Sequence, residues 1–482
     1  MDARRLTGSN RYIALAMVIL MVPAAPSPPA IADSPSASVL DRIKQFNPWL
    51  SPEDPLQLPM KVRAISQDEY TFFRGTADLF YDWCRVYAPQ WSRDDAADVL
   101  LHGDIHLGNT GTYPAVAADG RRVIRFGVVD PDEAVRGPFQ LDLLRALTTL
   151  RLAAAANKTP LNELEMNDLT RELVNAYRDV LTGQVKAEDL AKRHPAVAAL
   201  LAKAEGGDLS KAAKNYCKGK PARQFRSARL KKGNVSDLMW RVDDKTRAEV
   251  IEAVWLYART GDEKAVRDQL RLKTKSDVEK HVRDVVRWTR VESGGSQGIC
   301  KYLVLLDAAL AGSDAPLILE LKEEPVPAAQ RAGLLNAATG PARAREVADG
   351  QTEMLGEPRW LGGCTMIGDR GFLVRARDPF SEEPSHRDFA DRTAMTDAAR
   401  LLGDVLGIAH RRSALRGNDG ALRIGRIAAQ LTSVMPQLPA LSKTAAEETL
   451  RNFAELKADP QAQALAKRAQ AEIDTAAKAA KN

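Results

Sequence analysis

The octapeptide His102-Gly103-Asp104-Ile105-His106-Leu107-Gly108-Asn109 is the feature that most limits what this chain can become. It interrupts two apolar stretches. Val99, Leu100 and Leu101 lead into it, and Val123 to Val129 follows as a strand rich in β-branched residues that ends at Asp130. The flanking segments have helical spacing. Residues 66–88 carry Phe72, Phe73, Leu79, Phe80 and Trp83, and 139–155 carry Leu141, Leu144, Leu147 and Leu150. Helix, strand, polar loop, strand and helix in that order predict an α+β fold whose chemistry sits on a loop between strand ends.

The rest of the chain divides by composition. Residues 1–32 have a basic start (Arg4, Arg5, Arg11), an apolar run from Ile13 to Val22, and Ala30-Ile31-Ala32 as a cleavage site. This is the layout of a secretory signal peptide, with an apolar run too short to span a bilayer. It predicts an exported, periplasmic or otherwise extracytoplasmic protein with no stable membrane span after cleavage. Removing three Arg and one Asp with it lowers the formal charge from +6 to +4. That mild basicity does not call for nucleic acid. Four cysteines (84, 217, 300, 364) fit no zinc spacing, and export leaves three disulfide pairings open.

Residues 33–60 are a Pro- and Ser-rich lead-in, and 61–155 hold the polar loop. Residues 156–285 read as mostly helical by periodicity. Within them, 211–232 hold nine Lys or Arg and no acid, which predicts a solvated basic face ahead of an anion-binding patch. Residues 286–380 return to strand character, with apolar runs at Tyr302–Leu306 and Leu317–Leu321 and a short strand at 372–375. Residues 381–482 are helical, including an amphipathic helix at 394–412. No internal repeat is present.

Asp104 and Asn109 stand in the Asp-x-x-x-x-Asn spacing of a kinase catalytic loop, with His102 two residues before the Asp. In such a loop the Asp takes or orients the proton of an attacking hydroxyl, and the Asn holds Mg²⁺ near the phosphates. A second carboxylate on the metal is needed. Asp130 supplies it from the end of a strand, with Asp132 and Glu133 close behind. Clustered acids repel unless a cation lies between them.

Further motifs follow in order: Phe72-Phe73-Arg74-Gly75 before the loop, Asp130 to Glu133 after it, then Gly137-Pro138-Phe139-Gln140-Leu141-Asp142. With HGDIHLGN they resemble the bacterial family catalogued as domain of unknown function 2252, over roughly residues 55 to 415. That family is similar to the aminoglycoside phosphotransferases and choline kinases. The resemblance implies a protein-kinase-like two-lobe fold. It implies Asp104 as catalytic residue, with His106 in the same motif, and Asn109, Asp130 and Asp132 as Mg²⁺ ligands. His102 and Asp142 would brace the loop.

Nothing before residue 97 supplies the Gly-rich loop and lysine that hold a nucleotide. They come afterwards. Ser293-Gly294-Gly295-Ser296-Gln297-Gly298 lies between strand-like segments, where Gly294, Gly295 and Gly298 let the backbone approach phosphates. Lys322 ends the next apolar strand but one, as a phosphate-pairing Lys does, with Asp349 or Glu353 as its acidic partner. The helix Leu401–His410 resembles the one that precedes the catalytic loop in small-molecule kinases. The order is therefore that of a circularly permuted kinase-like fold with a large helical insertion.

The expected function is transfer of a phosphoryl group from Mg-ATP to a small-molecule substrate. The alternative is an exported pseudokinase or binding protein without turnover, favoured by the scarcity of ATP outside the cytoplasm. A metal-dependent hydrolase using His102, Asp104 and His106 is a third reading. No acceptor and no oligomeric state is fixed by the sequence.

Overall fold

Alternation along Leu317–Glu323 decides how the central sheet works. Leu317, Leu319 and Leu321 enter one hydrophobic core, so Glu320 and Lys322 take the opposite face. The computed structural model describes residues 37–50, 56–93, 97–159, 161–219, 223–260, 270, 272, 274–292, 294–307, 315–388 and 391–481. The signal-peptide reading and Ser293 lie outside the described residues.

The strands are β1 (Asp98–Leu101), β2 (Thr110–Val116), β3 (Arg122–Val128), β4 (Val135–Pro138), β5 (Cys217–Lys218), β6 (Gln224–Phe225) and β7 (Ala228–Lys231). They continue as β8 (Asn234–Arg241), β9 (Val282–Arg290), β10 (Lys301–Leu306), β11 (Leu317–Glu323), β12 (Gly363–Ile367) and β13 (Arg370–Ala376). Seven form one antiparallel sheet in the order β12-β13-β11-β10-β9-β8-β7. Three two-stranded pairs, β1/β4, β2/β3 and β5/β6, complete the set. The whole is a mixed α+β fold.

Helices make the other part. Gln140–Ala156 has fourteen of seventeen residues buried, so it is a central helix rather than an amphipathic one. Leu143, Leu144 and Leu147 join Phe73, Phe80, Leu173 and Leu402 in the larger core. The helix Arg392–Ala414 lies against Glu163–Leu181. A Cβ on Gly403 would sit 2.3 Å from the Leu173 carbonyl oxygen, so this crossing requires glycine.

Two expectations need correction, and the open question of disulfides is answered. The 156–285 region is helical only to Tyr216 and again over Asp244–Thr260 and Lys275–His281. Between them run β5 to β8, and β9 starts at Val282. Asp237 breaks the apolar pattern of β8, yet it is fully buried and held by Arg229, Ser236 and Trp288. The lead-in contains the helix Val39–Phe46, and Gln57–Ile65 follows. Val39, Leu40 and Ile43 pack with Phe72 and Leu456. The four cysteines are free, so no disulfide pairing applies. Among the described residues, no helix is long and apolar enough to cross a membrane.

Candidate active site

β1 delivers the chain into His102–Asn109, and the 3₁₀ turn Leu107–Asn109 returns it to β2. β3 then brings Val129 and Asp130 alongside, where the Val129 N–H donates to the Asn109 carbonyl at 2.9 Å. Two backbone positions are special. Gly103 has φ +80, and a Cβ there would meet the Glu133 carbonyl oxygen at 2.1 Å. Asp130 has φ 61, in the left-handed region that a non-Gly residue enters only when its surroundings compel it.

Asp142, fully buried, braces the loop. Its carboxylate accepts from the His102 N–H at 2.7 Å and the Gly103 N–H at 3.1 Å, and it meets His410 Nε2 at 3.1 Å. His102 Nε2 lies 2.8 Å from the Val129 carbonyl, and its Nδ1 accepts from the Asp104 N–H. Both ring nitrogens of His102 are thus used inside the protein, which removes it as a metal ligand.

Asp104 is held by Arg145. The guanidinium donates to Asp104 Oδ1 through Nε at 3.0 Å and again through Nη2, and it lies over the Phe73 ring at 4.2 Å. Burial raises the Asp104 pKa, and Arg145 works against that rise. Asn109 donates to the Asp104 carbonyl at 2.9 Å.

His106 sits behind Asp104, at 3.7 Å, and its Nε2 accepts from Arg74 Nε at 3.0 Å. The ring proton is then assigned to Nδ1, which is buried without a partner. This geometry suits holding the loop and Arg74 in place, since the nitrogen that could take a proton is engaged. Burial, then Arg74 and Arg145, hold the His106 pKa well below its ordinary value. The unfolded ring titrates near ~6.5. Below that pH the unfolded state takes a proton that the native ring refuses. The contribution is therefore complete above pH ~6.5 and is lost as pH falls, at up to about 1.4 kcal/mol per pH unit. His106→Gln should flatten the fall in stability between pH 6.5 and 5 by that amount in urea titrations. An unchanged slope would mean that His106 is not buried neutral.

Asp130 and Asp132 meet Lys322. Its ammonium lies 3.7 Å from Asp130 Oδ1 and bonds directly to Asp132 Oδ2. Arg375 donates to Asp130 at 2.8 Å and to Glu320 at 3.1 Å. Loss of water around Asp130 works to raise its pKa, but Lys322 and Arg375 outweigh it and hold the carboxyl well below the usual range. Lys322 lies in the interior strand β11, between β10 and β13, and is buried. Close by, Glu324 has both carboxylate oxygens buried without partners, and burial pushes it up to about 7.

The Gly-rich turn comes to the same place. Gly294 and Gly295 line a cavity of about 110 Å³ together with Asp104, Asn109, Asp130 and Asp132. Lys61, itself buried, donates to their two carbonyls at 3.3 and 3.4 Å. Burial pulls its pKa down to about 8. Gly298 does not join them. At φ +84 it packs beside Leu50 and Trp49 and lines a different cavity, with Trp240 and Trp288.

Asp349 is not brought to Lys322. Its helix, Gly340–Leu355, turns it to solvent, 61% exposed and 4.0 Å from Arg345. Glu353, one turn on, bonds Arg136 and Arg416 instead. The acids that meet Lys322 are Asp132 and Asp130. Among the described residues, no three His, Cys, Asp or Glu side chains form a ready-made metal cage.

Sequence reasoning passed over Arg145, Lys61, Arg375 and Glu324. Arg145 had a signal, since it lies three residues after Asp142 on one helical face. The other three had none.

The family described as "Uncharacterized protein conserved in bacteria (DUF2252)" matches residues 53–459. The chain belongs to this family. The matched span includes every lining residue of the cavity except Asn47, and all of the seven-stranded sheet. The motif resemblance drawn from Phe72 to Asp142 therefore holds at the level of the family. No curated protein and no solved structure matches the chain.

Proposed function

We propose that this chain is a kinase-like phosphotransferase that moves a phosphoryl group from Mg-ATP to a small-molecule acceptor. One observation carries the reading: a single cavity joins Asp104, Asn109 and Asp130 to Gly294 and Gly295. The strand order supports it. β9, β10 and β11 form a meander whose first turn is Gly-rich and whose third strand carries Lys322, and a helix follows. A kinase holds its nucleotide with a Gly-rich loop, a Lys on the third strand and the next helix.

The permuted order has support too. The helix Arg392–Ala414 ends beside β1, where Ser413 Oγ accepts from the Leu100 N–H at 2.7 Å. A helix that leads toward the catalytic loop arrives from the other end of the chain.

In this reading Asp104 orients the acceptor hydroxyl and accepts its proton, with Arg145 fixing the carboxylate. Asn109, Asp130 and Asp132 hold Mg²⁺. Their oxygen donors suit a hard cation, and Asp132 Oδ1 is buried with no partner of its own. The ion supplies charge neutralisation between phosphate oxygens. Lys322, held by Asp132 in this structure, would pair with the phosphates when a nucleotide is bound. We propose that this takes place outside the cytoplasm, on the pattern of residues 1–32; cell fractionation tests the location.

The test is thermal stability of the full-length chain with and without Mg-ATP, beside Asp130→Ala. A ligand at about 100 times its Kd adds about 2.7 kcal/mol. The parent should melt several degrees higher with Mg-ATP, and Asp130→Ala should show no rise. An equal rise in the variant would sink the metal assignment. No rise in the parent would sink the nucleotide site.

The binding-protein alternative is favoured by one arrangement. Lys322 is engaged by both metal-site acids, and Arg145 occupies Asp104. Mg-ATP binding without any hydrolysis or transfer would select it.

A further inference from the structure

Asp130 also lines a second cavity, of about 290 Å³. Six cationic side chains face it: Arg229, Lys231, Arg290, Arg359, Arg375 and Arg377. They come from β7, the end of β9, the approach to β12, and β13 with the residue after it. Among the described residues its apolar lining is only Val129 and Ala376, with no aromatic ring. Such walls offer a flat base nothing to stack on.

We propose that this cavity is an anion-binding subsite that takes the linked phosphates of a polyphosphate-type ligand reaching Asp130. The subsite stands whether or not the neighbouring centre transfers phosphoryl groups from a nucleotide.

Three of the arginines are aimed by groups behind them. Arg375 and Arg377 share buried Glu320, at 3.1 and 3.2 Å, and Arg377 also donates to the Tyr216 hydroxyl at 2.8 Å. Arg229 is held by buried Asp237 at 2.5 Å and lies over the Tyr216 ring at 4.7 Å. Guanidinium groups fixed this way present donor forks that match phosphate oxygens.

The remaining three hold unused capacity. Arg290 and Lys231 have no ion-pair partner among the described residues. Arg359 is 5% exposed, and its Nε is buried with no partner. Such a donor lacks the water bonds it would have outside, and a ligand oxygen restores them.

Four acids also face the cavity. Asp130 is held by Lys322 and Arg375, Asp378 by Arg359 at 3.7 Å, and Glu382 by Lys203 at 2.6 Å. Glu383 alone is left to oppose Arg290 and Lys231. The basic run at 211–232 therefore contributes two cationic residues, Arg229 and Lys231, to a shaped cavity.

The experiment is isothermal titration calorimetry of the full-length chain with sodium tripolyphosphate, at 50 and 200 mM salt. The variant is K231Q/R290Q, whose changed side chains are exposed; R290Q alone serves if the pair impairs folding. The parent should bind tripolyphosphate more tightly at low salt. The variant should bind at least tenfold more weakly, with a shallower salt dependence and an unchanged melting temperature. Equal affinity of variant and parent, or no binding by the parent, overturns the subsite. Mg-ATP titrated in parallel separates the two readings. Parent binding of Mg-ATP without tripolyphosphate binding overturns the subsite and leaves the phosphotransferase. Tripolyphosphate binding that the variant loses, with no Mg-ATP binding by the parent, supports the subsite and removes the nucleotide reading.

Discussion

Arg145→Met should lower the stability of the chain by about 3–5 kcal/mol, the usual loss when one partner of a buried ion pair is removed. Arg145 is fully buried in the central helix and donates to Asp104 and to the Phe73 carbonyl. Methionine fills much of the volume and keeps contact with Phe73 and Phe80, so the loss reports charge rather than a void. Urea unfolding monitors it. Asp104→Asn in the Arg145→Met background should recover part of the loss, because no buried carboxylate is then left alone. If the double variant is no more stable than Arg145→Met, the pair does not hold the loop.

Asp142→Ala should have an effect of similar size, about 3–5 kcal/mol, by a different route. It strands the His102 and Gly103 N–H groups and one nitrogen of His410 inside the protein, at about 1–3 kcal/mol for each unpaired group. Hydrogen exchange at residues 102 and 103 should speed up more than exchange in the seven-stranded sheet. Equal acceleration everywhere would mean that the residue supports the fold without bracing the loop. A pH dependence follows. Burial works to raise the Asp142 pKa, but the bonds from His410 and the His102 amide outweigh it and hold the carboxyl below its ordinary value. Its stabilisation is present above the unfolded value of ~3.9 and is lost as pH falls through the lower native one. The variant should lose this part of the acid sensitivity.

The catalytic-type loop was legible because its residues are close in sequence. Asp104 and Asn109 share the loop after β1, and Asp130 follows the β2/β3 hairpin, so a short stretch of chain brings all three together. Lys322 was legible because an apolar strand made its one amine conspicuous. The partners were not. Arg375 reaches Asp130 from 245 residues away, and the β11–β13 register sets it beside Glu320, neither of which local spacing reveals. Asp349 failed as a partner because one helical turn decides which face a side chain takes, and the sequence does not say which face the sheet covers. β7 and β8 were hidden by the basic run and by Asp237, whose burial depends on Arg229 and Trp288 across the sheet.

The contact of Asp142 with His410 spans 268 residues. During synthesis at roughly 5–20 residues per second, about 13 to about 54 s separate the two side chains. For that interval the loop has its strands but not its far support. Gly403 and Gly407, which seat the supporting helix, emerge almost as late. The brace of the loop is therefore itself backed by the last third of the chain, and a nascent chain stopped before residue 410 should hold an Asp142 that lacks its His410 contact.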